Sequence, residues 1–508
     1  MRYLVNASEM KTYDRYTIEK IGIPSLVLME RAGLETFRRI QKSIAIDHKT
    51  TALILVGYGN NGGDGLVLAR LLCEAGADVT VWPLGSLQKA TREWLEQKRI
   101  LESFSVRFVA EPEHKSYSII ADALFGVGLT RKPEGIYESA IKMVNELEGF
   151  KVALDLPSGV SADDGFVPGV AFQADLTVTY GFEKRGLYLF PGSRFAGEIE
   201  LCDVGIPQIS VSAGMPEMFC IEGTLQELLP ARKADGNKGN FGKALIIAGS
   251  KNMAGAAVLC ARACYRTGCG MVKILTPECN REIIQKSIPE ALLGTYDDLE
   301  ESIKWCNAIC IGPGIGTGND AEQVMRRLLL YLSGYDCTIL PTIPLLIDAD
   351  GLNLIAGNQD LIAMLTKWGS NERRMKTVMT PHQGEHLRLL RSIMGEAVPD
   401  MDTIKRTPWI FGNLLSEKFG TVICVKDARS FICKCGEMTG VNIAGNSGMA
   451  TAGSGDVLAG IITALMAAKV NVYESACRGV RIHALLGDIC MAEIGEHALM
   501  AGDLVNVF

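Results

Sequence analysis

Residues 51–84, TALILVGYGNNGGDGLVLARLLCEAGADVTVWPL, decide the fold class. An apolar run of strand length enters a glycine-rich turn, a stretch at helical spacing follows, and a second β-branched run closes the unit. This is a βαβ unit, and it predicts an α/β fold with a parallel sheet. Gly57, Gly59 and Gly62 match G-x-G-x-x-G between a strand and a helix, the context in which that pattern holds nucleotides. A redox Rossmann domain would place Asp or Glu at the end of the second strand for a ribose. Val81-Trp82-Pro83-Leu84 stands there instead, which argues against an ordinary dehydrogenase. Asn60, Asn61 and Asp64 give the turn more polarity than a pyrophosphate loop needs, although such residues also form ordinary turns.

Upstream, residues 9–46 read as two helices broken at Gly22-Ile23-Pro24. Downstream, strands end at Asp122, at Asp155 with Pro157 and Ser158, and near Thr179 with Lys184 just beyond; a further glycine loop carries Arg131 and Lys132. Polar residues therefore gather at the carboxyl ends of successive strands, where parallel sheets place their sites. Asn61, Asp122 and Ser158 offer hard oxygens for a cation, though a lone strand-end Asp often only caps the next helix. Residues 206–222 have the Pro, Ser and Gly of a connection, which predicts domains 1–213 and 214–508.

The second domain repeats the theme. A strand at 244–248 runs into Gly249-Ser250 and a helix of small residues around Ala256; AICIGPGIGTG is a strand feeding a turn that includes Gly316. Asp348 and Asp350 end the next strand, His382 and Glu385 follow another, and Lys426 ends a third. The last glycine corner is Ala444–Gly460, AGNSGMATAGSGDVLAG, which leads into an apolar helix. Gly453 and Gly455 let backbone N–H groups turn inward, and the helix dipole adds positive potential. Such a corner binds an anion, so Asp456 within it is the odd member. Either Asp456 caps the helix, or it takes a proton from a hydroxyl that attacks a phosphoryl group while the amides hold the charge.

The totals exclude several classes. A chain of 508 residues exceeds what one core usually holds. Net charge −7 gives no basic footprint for nucleic acid. No uncharged run of about 18 apolar residues suggests a membrane span, and the polar N-terminus is no signal peptide. The 15 Cys lie scattered in apolar segments without a CxxC pair, and the six His form no HExxH, so reduced thiols in a cytoplasmic protein are expected rather than disulfides or zinc.

Along nearly its whole length the chain resembles the bifunctional NAD(P)H-hydrate repair enzymes. The resemblance is carried by GNNGGDG, ADALFGVGL and LDLPSG in the first half, and by KGNFGKALIIAGS, IGPGIG, DADGLN, TPHQGE and NSGMATAGSGDVLAG in the second. It implies a Rossmann-like three-layer epimerase domain and a ribokinase-like, ADP-dependent dehydratase domain. The implied substrates are the hydrates of NADH and NADPH, NADHX and NADPHX. The first domain would interconvert their R and S epimers; the second would use ADP to restore NAD(P)H from the S form, releasing AMP and phosphate.

Position by position, the resemblance places Asn60, Asn61, Gly62, Gly63, Asp64, Gly126, Val127, Gly128, Leu129, Thr130, Arg131, Lys132 and Asp155 against the hydrate in the epimerase. Lys151 and Asp155 would do acid–base work, and Asn61, Asp122 and Ser158 would bind K⁺. In the dehydratase, Ala256, Gly316, His382 and Asp456 would line the hydrate pocket, with Asp456 as base. Lys426, Ser430, Gly453 and Gly455 would hold the nucleotide, with Mg²⁺. A homo-oligomer is expected on the same ground. One departure is local: Lys426-Asp427-Ala428-Arg429-Ser430 puts an acid where the family pattern has glycine. The alternative, open on the glycine corner alone, is a kinase of a small alcohol fused to a nucleotide-binding module.

Overall fold

In the computed structural model, which describes residues 1–129, 131–334, 343–369 and 376–508, a short strand, Arg2–Val5, leads into helix α1 (Ala7–Tyr16). Its start is fixed by a reciprocal cap: the Asn6 side chain accepts from the Glu9 amide at 2.8 Å, and the Glu9 carboxylate accepts from the Asn6 amide at 2.7 Å. The helix widens into a π turn over Thr17–Ile21 and stops at Gly22, whose φ of +88° is left-handed. Pro24 then opens α2 (Ser25–Ser43), so the break falls where Gly22-Ile23-Pro24 predicts it.

The 51–84 unit folds as β1 (Thr51–Val56), α3 (Asn60–Glu74) and β2 (Asp78–Pro83). The strands β3 (Arg107–Phe108), β4 (Ile119–Ala123), β5 (Phe150–Leu154), β6 (Leu176–Tyr180) and β7 (Glu198–Cys202) complete a seven-stranded sheet in the order β3-β2-β1-β4-β5-β6-β7. All its pairings are parallel. Alternate residues serve opposite faces. Ile54, Val56, Ala121 and Leu154 join Leu66 and Leu68 of α3 in one core, whereas Leu53, Leu55, Ile120 and Ala153 join Ile141 and Val144 of the helix α5 (Ile136–Glu146) in another. A further helix, α4 (Arg92–Leu101), buries Trp94 on the α3 side. The result is the three-layer, doubly wound arrangement. The strand order reverses between β1 and β4, which is where such sheets open a binding crevice.

The C-terminal sheet contains β8 (Lys243–Ile247), β9 (Met271–Leu275), β10 (Leu292–Gly294), β11 (Ala308–Ile311), β12 (Leu345–Ile347), β13 (Thr377–Met379), β14 (Val422–Val425), β15 (Ser430–Cys433) and β16 (Thr439–Asn442). They lie in the order β10-β9-β8-β11-β12-β13-β14-β15-β16. Pairings are parallel from β10 to β14 and antiparallel through β15 and β16. The reversal here is between β8 and β11. Over one face pack α6 (Ala254–Arg266) and α9 (Ser454–Ala467), with α7 (Asp350–Gly357), α8 (Gln383–Met394) and α10 (Val472–Ile494) completing the layers that matter below. Every residue of α9 from Val457 to Ala467 is buried. A side chain at Gly460 would start 2.2 Å from the Cys260 carbonyl oxygen, so the small residues of α6 and α9 serve close helix packing.

The chain divides into Tyr3–Met218 and a second unit of Phe219–Phe508 with Met1 and Arg2. The break falls beyond residue 213 because the preceding segment is tied to the first unit. Ser210 hydrogen-bonds Thr17 at 3.0 Å, and Tyr13 donates to the Gly214 carbonyl at 2.7 Å.

Candidate active sites

At the β1/β4 reversal the N-terminal unit encloses a cavity of about 600 Å³. The turn after β1 contributes Asn60, Asn61 and Asp64, the loop after β4 contributes Gly126, Val127 and Gly128, and Asp155 enters from the end of β5. Gly62 and Gly63 are buried behind this wall. A side chain at Gly62 would begin 1.9 Å from the Gly57 carbonyl oxygen, so only glycine lets the turn close. Leu129, Arg131 and Lys132 stand outside the lining, with Arg131 and Lys132 exposed, and Thr130 lies outside the described residues.

Lys151 is placed away from this chemistry. It sits at the start of β5, the end opposite Asp155, and its Nζ donates to the Leu147 carbonyl at 2.7 Å. A parallel strand carries its two ends to opposite sides of the sheet, so a residue four positions before Asp155 cannot share its crevice. The ammonium that meets Asp155 is Lys184, at 2.5 Å from Oδ1. Asp14 of α1 also lines the cavity. Burial and the nearby Asp155 carboxylate raise the Asp14 pKa, and burial followed by Asp155 and Asp14 pushes Asp64 well above the usual carboxylate range.

Asp122 is fully buried beside this cavity. Its Oδ1 accepts from Ser158 Oγ at 2.7 Å and the Leu124 amide at 3.1 Å, and its Oδ2 accepts from the Ser158 amide at 2.7 Å. Burial raises its pKa to about 6 despite these bonds. The buried side-chain amide of Asn61 has no hydrogen-bond partner among the described residues. The carbonyl oxygen of Asn61, the carboxylate of Asp122 and the hydroxyl of Ser158 are oxygens of the hard type that suits an alkali cation.

In the C-terminal unit, Gly453 adopts φ +90° and is itself the N-cap of α9; no side-chain cap is present among the described residues. The helix starts earlier than its apolar run suggests, so Asp456 lies inside the first turn, acidic where the amides are free. The capping role open to Asp456 in the sequence is therefore not the one it plays. Burial, then Asp348, raises its pKa to about 7; Asp350 adds to this and Lys426 opposes it. A side chain at Gly455 would lie 3.4 Å from Lys426 Nζ and 3.8 Å from Asp348 Oδ2, so this glycine keeps the helix start against that pair. Lys426 Nζ donates to Asp348 Oδ1 at 2.7 Å, and Thr380 donates to the same oxygen at 2.6 Å.

The loops at the β8/β11 reversal face each other. Gly249 donates to the Pro313 carbonyl at 2.8 Å, the Gly316 amide donates to Asp350 Oδ2 at 2.9 Å, and a side chain at Gly314 would begin 2.9 Å from Ala256 Cβ. His382 caps α8, accepting from the Gly384 amide at 2.9 Å through Nδ1, yet its side chain remains 55% exposed. Burial, Lys426 and Arg388 lower its pKa, while burial raises Glu385 to about 7. Asp427 is exposed and accepts from Gln383 Nε2 at 2.5 Å, and Ser430 Oγ donates to the Asp427 carbonyl at 3.4 Å. The buried pair Ser454–His483, at 3.1 Å, steadies the helix start from α10; burial pushes His483 down to about 4 and keeps it neutral. Sequence spacing gave no sign of that pair, because the partners are on separate helices.

Comparison with known proteins agrees on both halves. Residues 244–506 match the family described as NAD(P)H-hydrate dehydratase, and residues 25–186 match that of the YjeF-related protein N-terminus. A bifunctional NAD(P)H-hydrate repair enzyme of Thermofilum pendens is 33% identical over 99% of this chain and 95% of its own. One from Escherichia coli is 32% identical over 98% and 92%. The crystal structure of an ADP/ATP-dependent NAD(P)H-hydrate dehydratase from Bacillus subtilis, co-crystallised with ATP and Mg²⁺, is 26% identical, covers 56% of this chain and 94% of that one, and superposes with a TM-score of 0.46.

Proposed function

We propose, since the chain belongs to the family of bifunctional NAD(P)H-hydrate repair enzymes, that the N-terminal cavity is its epimerase centre and the Gly453–Asp456 corner its dehydratase centre. The chain is an enzyme with both activities. It interconverts the R and S hydrates of NADH and NADPH and dehydrates the S form, through a Rossmann-like and a ribokinase-like domain. The relatives it matches over 95% and 92% of their own length are named bifunctional NAD(P)H-hydrate repair enzymes, so the small-alcohol kinase is not carried forward.

The observation that carries the dehydratase assignment is the carboxyl of Asp456, raised to about 7, on an uncapped helix N-terminus. A ring hydroxyl is a poor leaving group. Asp456 takes its proton, the oxygen attacks the terminal phosphorus of ADP, and AMP leaves. The amides of the first turn of α9, with Lys426 near, stabilise charge on the transferring group. The ring nitrogen's lone pair then expels phosphate, and loss of a ring proton restores the double bond. Among the described residues no three His, Cys, Asp or Glu gather as a metal site. Mg²⁺ would thus be carried largely by the nucleotide's phosphates, whose charge it neutralises. Ala256, Gly316 and His382 flank the hydrate side, and Lys426 and Ser430 the nucleotide side.

In the epimerase the inverted carbon bears both the hydroxyl and the ring nitrogen. Asp155 takes the hydroxyl proton, the C–N bond opens to an aldehyde as nitrogen gains a proton, and closure on the other face returns both. Asp64, whose protonated form burial and the neighbouring Asp155 and Asp14 favour, is the donor. Asn61, Asp122 and Ser158 would hold K⁺, whose charge would favour the Asp122 carboxylate. Asp122→Ala is expected to lower epimerase activity about tenfold or more and abolish its response to K⁺, leaving dehydratase intact. Rates in KCl and tetramethylammonium chloride check this; equal loss of both activities would indicate misfolding.

No helix among the described residues is long and apolar enough to cross a membrane, and the described cysteines are free. A cytoplasmic, self-associating protein that binds no nucleic acid completes the proposal, and its mass by light scattering tests the association. The function is tested by supplying the mixed hydrates with and without ADP and following both epimers. Epimers should equilibrate without ADP; with ADP both should be consumed, with equal AMP and phosphate. Accumulation of a phosphorylated product would point to a kinase instead.

A further inference from the structure

Lys184 belongs to a two-residue strand, Glu183–Lys184, that pairs in parallel with Leu4 and Val5. Its side chain is 1% exposed. The ammonium carries three N–H donors, and each has a taker: Asp155 Oδ1 at 2.5 Å, the Tyr180 carbonyl at 2.8 Å and Thr179 Oγ1 at 3.1 Å. Nothing remains on Lys184 for a substrate. Thr179 Oγ1 also reaches Asp155 Oδ1, at 3.4 Å. The other oxygen, Oδ2, accepts no hydrogen bond among the described residues and lies 3.0 Å from where a side chain at Gly126 would begin, on the cavity side. Asp155 itself adopts φ +67°, a conformation costly for a non-glycine residue, and its backbone N–H donates to the Val178 carbonyl at 2.8 Å.

We infer that Lys184 is the positioning residue of the epimerase: it pins Oδ1 of Asp155 and leaves Oδ2 as the single oxygen that meets the substrate hydroxyl. The inference rests on Asp155 being the base. The groups facing Asp155 are Asp14 from α1, Asp64 from α3 and Tyr180 from β6, with Lys11 and Lys89 also on the cavity wall. Three carboxylates share this space. Of the three, Asp155 is the one the buried ammonium contacts directly. Without it, the carboxylate oxygens of Asp155 would lose their fixed orientation.

The test measures epimerisation without ADP as a function of pH in full-length wild type, Lys184→Met, Lys184→Gln and Asp155→Asn. Both Lys184 variants should lose about 100-fold in kcat, with KM changed by less than about threefold. The acid limb of their kcat/KM profile should move up by about one pH unit or more, as expected for a base that has lost its cation. Dehydration of the S epimer with ADP should stay at the wild-type rate, which shows intact protein. A folded Lys184 variant with a wild-type rate and acid limb overturns the inference, as does failure of both to fold, which would make Lys184 structural. Active Asp155→Asn would instead remove the base assignment; inactive Asp155→Asn beside normal Lys184 variants would remove only the role of Lys184.

Discussion

Asp456→Asn lowers dehydratase turnover about 10³-fold or more and leaves epimerisation at the wild-type rate. General-base removal costs about 10²–10⁴, and here the base acts where no other described carboxylate is free to replace it. Asp348 is committed to Lys426 and Thr380, and Asp350 to the Gly316 amide. Asn keeps the shape of the side chain, so the helix start is retained. The wild-type pH profile gives a second reading. A base must be deprotonated, and a carboxyl raised to about 7 loses that form as pH falls through 7. Dehydratase kcat/KM should therefore decline below about pH 7, whereas an ordinary carboxylate would hold it flat to about pH 5. For stability the sign is opposite. A raised carboxyl favours the folded state fully below its unfolded value, and that contribution is lost as pH rises through 7. Dehydration by Asp456→Asn at even a tenth of the normal rate would dismiss the assigned role.

Lys426→Met is the largest expected change in stability. The Asp348 side chain is 1% exposed, and Lys426 is its one cationic contact at 2.7 Å among the described residues. Burial works against the Lys426 charge, but Asp348 and Glu385 outweigh it, and its pKa rises. Removing one member of such a pair leaves a buried charge uncompensated, at about 3–5 kcal/mol. The double variant Asp348→Asn/Lys426→Met should recover part of that loss, because neither charge then remains. Denaturant unfolding of the three proteins measures both quantities. A single variant within about 1 kcal/mol of wild type would show the pair to be solvated. Since Lys426 also opposes the rise at Asp456, the variant's residual dehydratase activity should have its acid limb at higher pH.

The glycine turns beside the two reversals of sheet order were legible because their spacing is local, as in Gly57-x-Gly59-x-x-Gly62; the strand order itself was not, since it depends on pairings between distant segments. The strand-end positions of Asp122, Asp155, Asp348 and Lys426 were legible for the same reason: a strand of known direction fixes which end faces the crevice. By the same rule Lys151, which begins the strand that Asp155 follows, belongs at the opposite end; only the resemblance drew it into the site. Lys184 was visible as a residue beyond β6, but its pairing with Asp155 depends on a short strand contact with Leu4 and Val5, which no periodicity reports. Asp14 sits among polar neighbours on an amphipathic helix and reads as surface. Taken alone, the GSGD motif made Asp456 a helix cap, and only its surroundings pointed to a base; the left-handed backbone of Gly453, itself the N-cap, separates the two, and torsion angles are not written in composition.

The burial of α9 on every side has a consequence for motion. A proton acceptor mounted on a post wedged against the Cys260 backbone cannot swing to greet its partner. Any induced fit during dehydration must then come from the surrounding loops, which close on an acid whose backbone is the fixed point.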